Sequence, residues 1–507
     1  MKSNNKNKFY DELVKTENLT TTENGAVALK STLSKTIDLF ATINSMRMCD
    51  EATIIKRFQD AYDEDRDLAT KMLFWSRNIR GGQGERRTFR VILRYLATVN
   101  PELVRMNLDN IVYFGRWDDL YYLDGTPLED DVYSMFKKQL NFDKSGAHGV
   151  SLLAKWLKSV NAHSKETNRL GRKTAKKLGM SEKEYRKTLK ELRSAINVVE
   201  TQMSANHWNE INYESVPSIA HKNYRNAFRR HDEDGYDKFL EDVNCGEKTI
   251  KADTLYPYDI VRAYLDKDED ESYIDDTLEA QWRSLPDYLA GEKKDMLVIA
   301  DTSGSMFTGK DTVKPIHVSL SLALYFAQRN RGLFHNYFMT FSSKPTLVKV
   351  NSNAPLKRNL DECIKVDWGY NTNLEVAFDL ILKMALRSGA KQEELPSSLV
   401  IITDMQFDSC CANNDGELTF LEKMKERYEE NGYTLPHIVF WNVNASYTNG
   451  IFQTTYDDSR IQYISGASAS AFRDLIRGEN LSPLGLVLNT LNAKEYDRVV
   501  VPSVLGD

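Results

Sequence analysis

Asp301, Ser303 and Ser305 stand in the run Asp301-Thr302-Ser303-Gly304-Ser305, directly after the apolar stretch Met296-Leu297-Val298-Ile299-Ala300. The stretch reads as a buried strand, so it delivers one carboxylate and two hydroxyls to its C-terminal end. In open α/β sheets that edge is where ligands bind. All three side chains are hard oxygen donors of the kind magnesium prefers, and they are too few to fill its roughly six positions. Such a set can hold a divalent cation and leave a place for an oxygen from outside. Thr372 stands at the start of an apolar-periodic helix carrying Val376, Phe378, Leu380, Ile381 and Met384, where a helix-start hydroxyl belongs. Leu399-Val400-Ile401-Ile402-Thr403-Asp404 is a second buried strand ending in a carboxylate.

In this order, Asp301, Ser303, Ser305, Thr372 and Asp404 resemble the metal-ion-dependent adhesion site of von Willebrand factor A domains, a DxSxS run followed by a Thr and an Asp. The resemblance implies Mg2+ or another divalent cation at these five residues. Asp408, close to Asp404 in sequence, is expected to help orient the loop.

These donors need an α/β sheet to position them, and the pattern supplies one. Strands are predicted over 296–300, 334–341, 346–350, 399–403, 438–442 and 461–464. Helices are predicted over 315–330, 373–387, 418–430 and 469–477. This alternation predicts a mostly parallel, doubly wound sheet, with 334–341 and 346–350 as a hairpin at its edge. Upstream, residues 26–290 read as almost wholly helical. Ala69, Met72, Leu73 and Trp75 share one helix face. Arg80-Gly81-Gly82-Gln83-Gly84-Glu85-Arg86-Arg87 reads as a helix–helix turn. It lacks the Lys-Ser/Thr of a phosphate-binding P-loop and follows no strand. Repeated helix pairs of this kind suggest an α-solenoid or a ring made from one.

The chain has 507 residues, 41% of them hydrophobic and 28% charged, which suits a globular protein of two or three domains. No run of 18 apolar residues marks a membrane span. Five cysteines, odd in number and scattered, argue for a reducing, cytoplasmic setting. Net charge is −6, but residues 151–200 hold 13 Lys/Arg against 5 Asp/Glu, and residues 251–290 hold 4 against 11. The basic side chains Lys155, Lys158, Arg169, Arg172, Lys173, Lys176 and Lys177 interleave with Trp156 and His163. Cations of this density can meet phosphates, and aromatics can stack on unpaired bases; a solvated helix face is the competing reading. His207 and His221 have no acid or second His at metal spacing and read as structural. No Ser/His/Asp or Cys/His arrangement supports nucleophilic catalysis, so a non-enzyme is expected.

Arg77-Asn78-Ile79-Arg80-Gly81-Gly82-Gln83-Gly84-Glu85-Arg86, Gly115-Arg116-Trp117-Asp118-Asp119-Leu120 and Ala154-Lys155-Trp156 occur in that order upstream of the α/β half. Val199-Glu200-Thr201-Gln202-Met203, Val216-Pro217-Ser218-Ile219-Ala220, Phe228-Arg229-Arg230-His231-Asp232 and Tyr256-Pro257-Tyr258-Asp259-Ile260 continue the series. Together they resemble the module of the Ro ribonucleoprotein autoantigen (the TROVE module) and telomerase-associated proteins, nearest to an uncharacterised sister family of plants, bacteria and viruses. The resemblance implies a fold of the multidomain α plus α/β class: a HEAT-like α-helical repeat ring followed by a doubly wound von Willebrand factor A domain. It places a polar tail at 1–25, the helical ring at 26–290, the A-like domain at 291–480 and a segment packing back on the ring at 481–507. It implies a monomeric partner of structured or single-stranded small RNA. The alternative is a protein-interaction scaffold in which the metal grips an acidic residue of a protein partner and no RNA is bound.

Overall fold

The computed structural model describes residues 16–22, 24–146, 149–266, 273–291, 295–308, 313–341, 344–365, 373–407, 419–445, 451–477 and 482–502. Thr372, Asp408 and the acidic run 267–272 lie outside them.

The chain is a helical half joined to an α/β half. In the helical half, local signals set the element ends. Asp50 accepts a hydrogen bond from Thr53 N and opens the helix Glu51–Glu64. Ile54, Phe58 and Ala61 form its buried face, at the spacing of one helix stripe. Asp65 ends that helix and caps Arg66–Arg77 by accepting from Leu68 N. That second helix is buried almost throughout, and Trp75 stacks on Phe40 at 4.6 Å between ring centroids. Residues 78–86 then turn the chain into Arg87–Val99, as the glycines predicted. Gly82 has no room for a side chain, since a Cβ there would meet Trp75 O at 2.1 Å.

Six strands form the sheet of the α/β half: β3 (Met296–Asp301), β4 (Tyr337–Phe341), β5 (Thr346–Lys349), β6 (Ser398–Thr403), β7 (His437–Asn442) and β8 (Ile461–Ser465). Their order is β5-β4-β3-β6-β7-β8. All pairings are parallel except β4 with β5, the expected edge hairpin. Residues of β3 and β6 are buried on both faces, which explains why they read as continuous apolar runs. Val298 and Ala300 pack on one side with the helix Pro315–Arg329; Leu297 and Ile299 pack on the other with Leu374–Ser388 and Phe420–Glu430.

Two features depart from the sequence reading. Part of the expected polar tail is a strand: β1 (Leu19–Thr21) pairs antiparallel with β2 (Val27–Leu29), and Leu29 bridges to Phe452. A helix, Leu356–Lys365, follows β5 where none was expected. Its first turn is capped from the helical half, with Leu356 N and Lys357 N donating to Glu279 at 2.7 and 3.1 Å.

One hydrophobic core runs from the first helices into one face of the sheet, so the two halves share a core. The helix Lys35–Phe40 lies against β8, where Ser465 Oγ donates to Phe40 O at 3.0 Å and accepts from Asn44 N at 3.3 Å. The C-terminal segment crosses back. Val500 N donates to Asn107 Oδ1 at 3.0 Å, Arg498 covers the Tyr113 ring at 3.5 Å, and Tyr496 stacks on Phe114.

A smaller core around Val199, Tyr213, Phe228 and Tyr236 holds His221. Its ring nitrogens lie 2.7 Å from Tyr213 O and 3.4 Å from the Tyr236 hydroxyl. Burial pushes the imidazole down to about 4, against an unfolded value near 6.5. The folded protein therefore resists a proton that the unfolded chain accepts. Stability is full above about pH 6.5 and falls as pH drops towards 4. At pH 5 the loss from this one group is about 2 kcal/mol. Urea midpoints at pH 7 and pH 5 should differ more in the native protein than in His221→Gln; equal pH sensitivity in both would remove His221 as the cause.

Candidate functional site

The strand order reverses between β3 and β6. β3 ends in Asp301, and Asp404 follows β6, so the two carboxylates stand together at the switch point of the sheet. Asp301 is fully buried and Asp404 nearly so, at 0% and 2% exposure. Asp301 Oδ1 accepts from Ser303 N at 2.9 Å, and Oδ2 accepts from Thr403 Oγ1 at 2.7 Å. Ser303 Oγ and Ser305 Oγ are 3.1 Å apart. Asp404 Oδ1 accepts from Gln406 N at 3.2 Å.

Burial pushes the Asp301 carboxyl up, and the Asp404 charge adds to the rise. Two carboxylates forced together away from water are costly unless a cation or proton sits with them. The donor set suits a divalent cation: two carboxylates and two hydroxyls, all hard oxygen. Among the described residues no three or more His, Cys, Asp and Glu stand together so as to hold a metal ion; beside the two carboxylates, the donors at this edge are the Ser303 and Ser305 hydroxyls. Of the five residues expected to hold the metal, Asp301, Ser303, Ser305 and Asp404 are brought to this edge; the fifth, Thr372, lies outside the described residues.

Sequence reasoning missed three supports of this edge. Thr403 donates to Asp301 Oδ2 at 2.7 Å and accepts from Met405 N at 3.0 Å. Met405 has φ +67°, a left-handed conformation that a non-glycine residue adopts at a cost and that clusters at functional sites. Residues of the presumed tail strap the same loop: Thr22 Oγ1 donates to Phe407 O, and Asn24 Nδ2 donates to Gln406 O at 2.9 Å.

The seven basic residues expected to meet RNA are split by the fold. Helix Lys165–Lys177 lies against acids from another part of the helical half. Lys173 Nζ is 2.6 Å from both Asp124 and Glu129. Lys177 is 2.6 Å from Asp130, and Arg169 is 2.8 Å from Asp124. Arg172 reaches Glu182 at 3.4 Å. Lys158 sits over the Tyr121 ring at 5.4 Å, and Lys176 is exposed. Lys155 instead faces a cavity of about 770 Å³.

That cavity lies where the helical half meets the loop after β8, with Ser468 and Ala469 in its wall. Five cations (Arg77, Arg80, Arg86, Arg116 and Lys155) and two carboxylates (Glu200 and Asp253) line it. Aromatic walls come from Trp117, Trp156, Tyr224, Tyr256 and Tyr288. Its floor is an ion network. Asp119 accepts from Arg77 Nε at 2.9 Å and Arg90 Nε at 2.7 Å, and Asp118 pairs with Arg90 and Arg116 at 3.0 and 2.9 Å. Arg116 also lies over the Trp156 ring at 4.0 Å. Burial pushes the Arg116 guanidinium down, and Arg86 and Arg77 push the same way against the pull of Asp118. The Gly-rich turn is one side of this cavity. Tyr256 Oη donates to Gln83 O at 2.7 Å, and Ser470 Oγ donates to Gly82 O at 2.8 Å.

Comparison with known proteins divides the chain at the same junction. Residues 295–484 match a family described as a domain of unknown function, DUF7788. Residues 22–143 and 137–293 match another so described, DUF2828. The uncharacterized protein L728 of Acanthamoeba polyphaga mimivirus is 28% identical over 531 residues, covering 97% of this chain and 90% of its own. Because the second match takes in more than half of its length, the chain belongs to the DUF2828 family.

Proposed function

We propose that this protein is a non-catalytic, Ro-like RNA-binding protein: a HEAT-like helical ring closed by a von Willebrand factor A-like domain that carries a magnesium-dependent interaction site. The observation that carries the RNA reading is the junction cavity, where Arg80, Arg86 and Lys155 stand beside aromatic walls and two carboxylates, in addition to Arg77 and Arg116, which Asp119 and Asp118 already pair. Basic grooves with aromatic platforms take single-stranded nucleic acid without base pairing. Asp301, Ser303, Ser305 and Asp404 would hold the cation, with Thr372 as the fifth ligand that the resemblance implies. The metal would supply a Lewis-acidic position for one oxygen of a partner. Among the described residues nothing at this edge offers a positioned base beyond the ligands themselves, and hydrolysis is not proposed.

A second reading has its own support. Acids already pair Arg169, Arg172, Lys173 and Lys177, which reduces the charge available to a polyanion. A scaffold that grips an acidic protein residue through the metal, and no RNA, would be consistent with that pairing.

Salt separates the two. Affinity for a single-stranded RNA should fall with salt at a slope of log K against log salt of about −2 or steeper, since each phosphate contact contributes about −0.7. Filter binding across a salt series measures it. Absence of binding, or binding indifferent to salt, would leave the scaffold reading.

A further inference from the structure

The cations of the junction cavity are not equivalent. Arg77 and Arg116 are committed to Asp119 and Asp118. Arg80 donates to Tyr113 O and lies over the Tyr113 ring. Arg86 and Lys155 have no carboxylate partner among the described residues; Arg86 is exposed, and Lys155 is half-buried with its ammonium 5.8 Å from the Trp156 ring. Two uncommitted cations therefore line the same cavity as half-buried Trp156, Tyr224 and Tyr256. Glu200 also lines it and keeps Oε2 without a hydrogen-bond partner, while Tyr224 Oη donates to Oε1 at 3.1 Å. A carboxylate oxygen left so in a wall calls for an N–H donor.

The volume, about 770 Å³, falls within the roughly 300–1,000 Å³ of small-molecule sites. One ligand chemistry meets every demand at once: a flat ring for the aromatics, an N–H for Glu200 and a compact anion for the free cations. A terminal phosphate carries about −1.5 to −2 charges, more than a diester, and suits two cations better.

We propose that the junction cavity holds one nucleoside phosphate, its base and sugar against Trp156, Tyr224 and Tyr256 and its phosphate met by Arg86 and Lys155. This goes beyond the RNA reading and does not depend on it. The ligand is either a free mononucleotide or the phosphorylated last nucleotide of a strand; the recognising chemistry is the same.

Protein stripped of nucleic acid in high salt would be titrated with the four nucleoside monophosphates, the matching nucleosides, and a short single-stranded oligonucleotide with and without a terminal phosphate. Calorimetry and tryptophan fluorescence are the readouts, since Trp117 and Trp156 line the space. At least one monophosphate should bind one-to-one, with its nucleoside at least about tenfold weaker. The double variant Arg86→Glu/Lys155→Glu should weaken the monophosphate at least about tenfold with an unchanged circular dichroism spectrum; neither residue belongs to the buried ion network. If the phosphorylated oligonucleotide binds tighter than the monophosphate, the strand end is the ligand; if not, the free nucleotide is. The proposal is overturned if no monophosphate or phosphorylated oligonucleotide saturates, or if the double variant binds as the native protein does. In either case salt-sensitive binding of longer RNA would keep the RNA reading standing. Monophosphate binding with no RNA binding would do the reverse.

Discussion

Replacing Asp119 by alanine is expected to cost about 3–5 kcal/mol of folding stability. Asp119 is fully buried and takes Arg77, itself 1% exposed, at 2.8 Å and Arg90 at 2.6 Å. It also accepts from Arg116 N at 3.0 Å. Burial alone would raise its carboxyl, but Arg77 and Arg90 outweigh that and hold it below the usual carboxylate range. Without Asp119, the Arg77 guanidinium stays buried with its charge uncompensated, beside Arg116. Gly115 adds a steric constraint, since a Cβ there would meet Asp119 Oδ2 at 2.4 Å. Guanidinium denaturation measures the loss. The apolar double variant Arg77→Met/Asp119→Leu should recover much of it, because it removes the buried charge along with its partner. A loss below about 1 kcal/mol in Asp119→Ala would contradict this account of the cavity floor.

Asp301→Ala should abolish divalent-cation binding while leaving the fold intact. A ligand present at about 100 times its Kd stabilises by about 2.7 kcal/mol. Native protein should therefore melt higher with excess magnesium, and the variant should not. The cost to the apo protein is small, because two effects oppose. Alanine leaves the Thr403 hydroxyl without its acceptor, at about 1–3 kcal/mol, and it removes the repulsion between Asp301 and Asp404. Asp301→Asn keeps the volume and serves as the second variant. Calorimetry that finds unchanged magnesium binding in both would overturn the metal assignment.

The central strands β3 and β6 were legible because they are buried on both faces and read as unbroken apolar runs, each leading into a carboxylate. Asp301, Ser303, Ser305 and Asp404 were legible for the same reason: their placement is local to a strand end. Thr403 was not, since a threonine inside an apolar strand looks like ordinary β-propensity until its hydroxyl is seen crossing to Asp301. The helix Leu356–Lys365 was missed because its buried face is only Leu356, Asn359, Leu360 and Cys363, too short a stripe to stand out. The β1–β2 hairpin has three residues per strand and depends on Phe452, far along the chain.

Charge was the least legible property. A basic run can be counted, but the partners of Lys173 and Lys177 lie 44 to 49 residues away, and no periodicity records them. The junction cavity draws its walls from Arg77 to Ala469. Its cations Arg80, Arg86 and Arg116 were present in the motifs that carried the resemblance, yet only the fold brings them to Lys155.

The central claim, RNA held in the junction cavity, is tested most directly by ultraviolet crosslinking in cells followed by mapping of the crosslinked peptides. The account predicts RNA attached to peptides carrying Trp156, Tyr224 or Tyr256. Protein that comes out of cells free of crosslinked RNA, with a stoichiometric protein partner in its place, would contradict it.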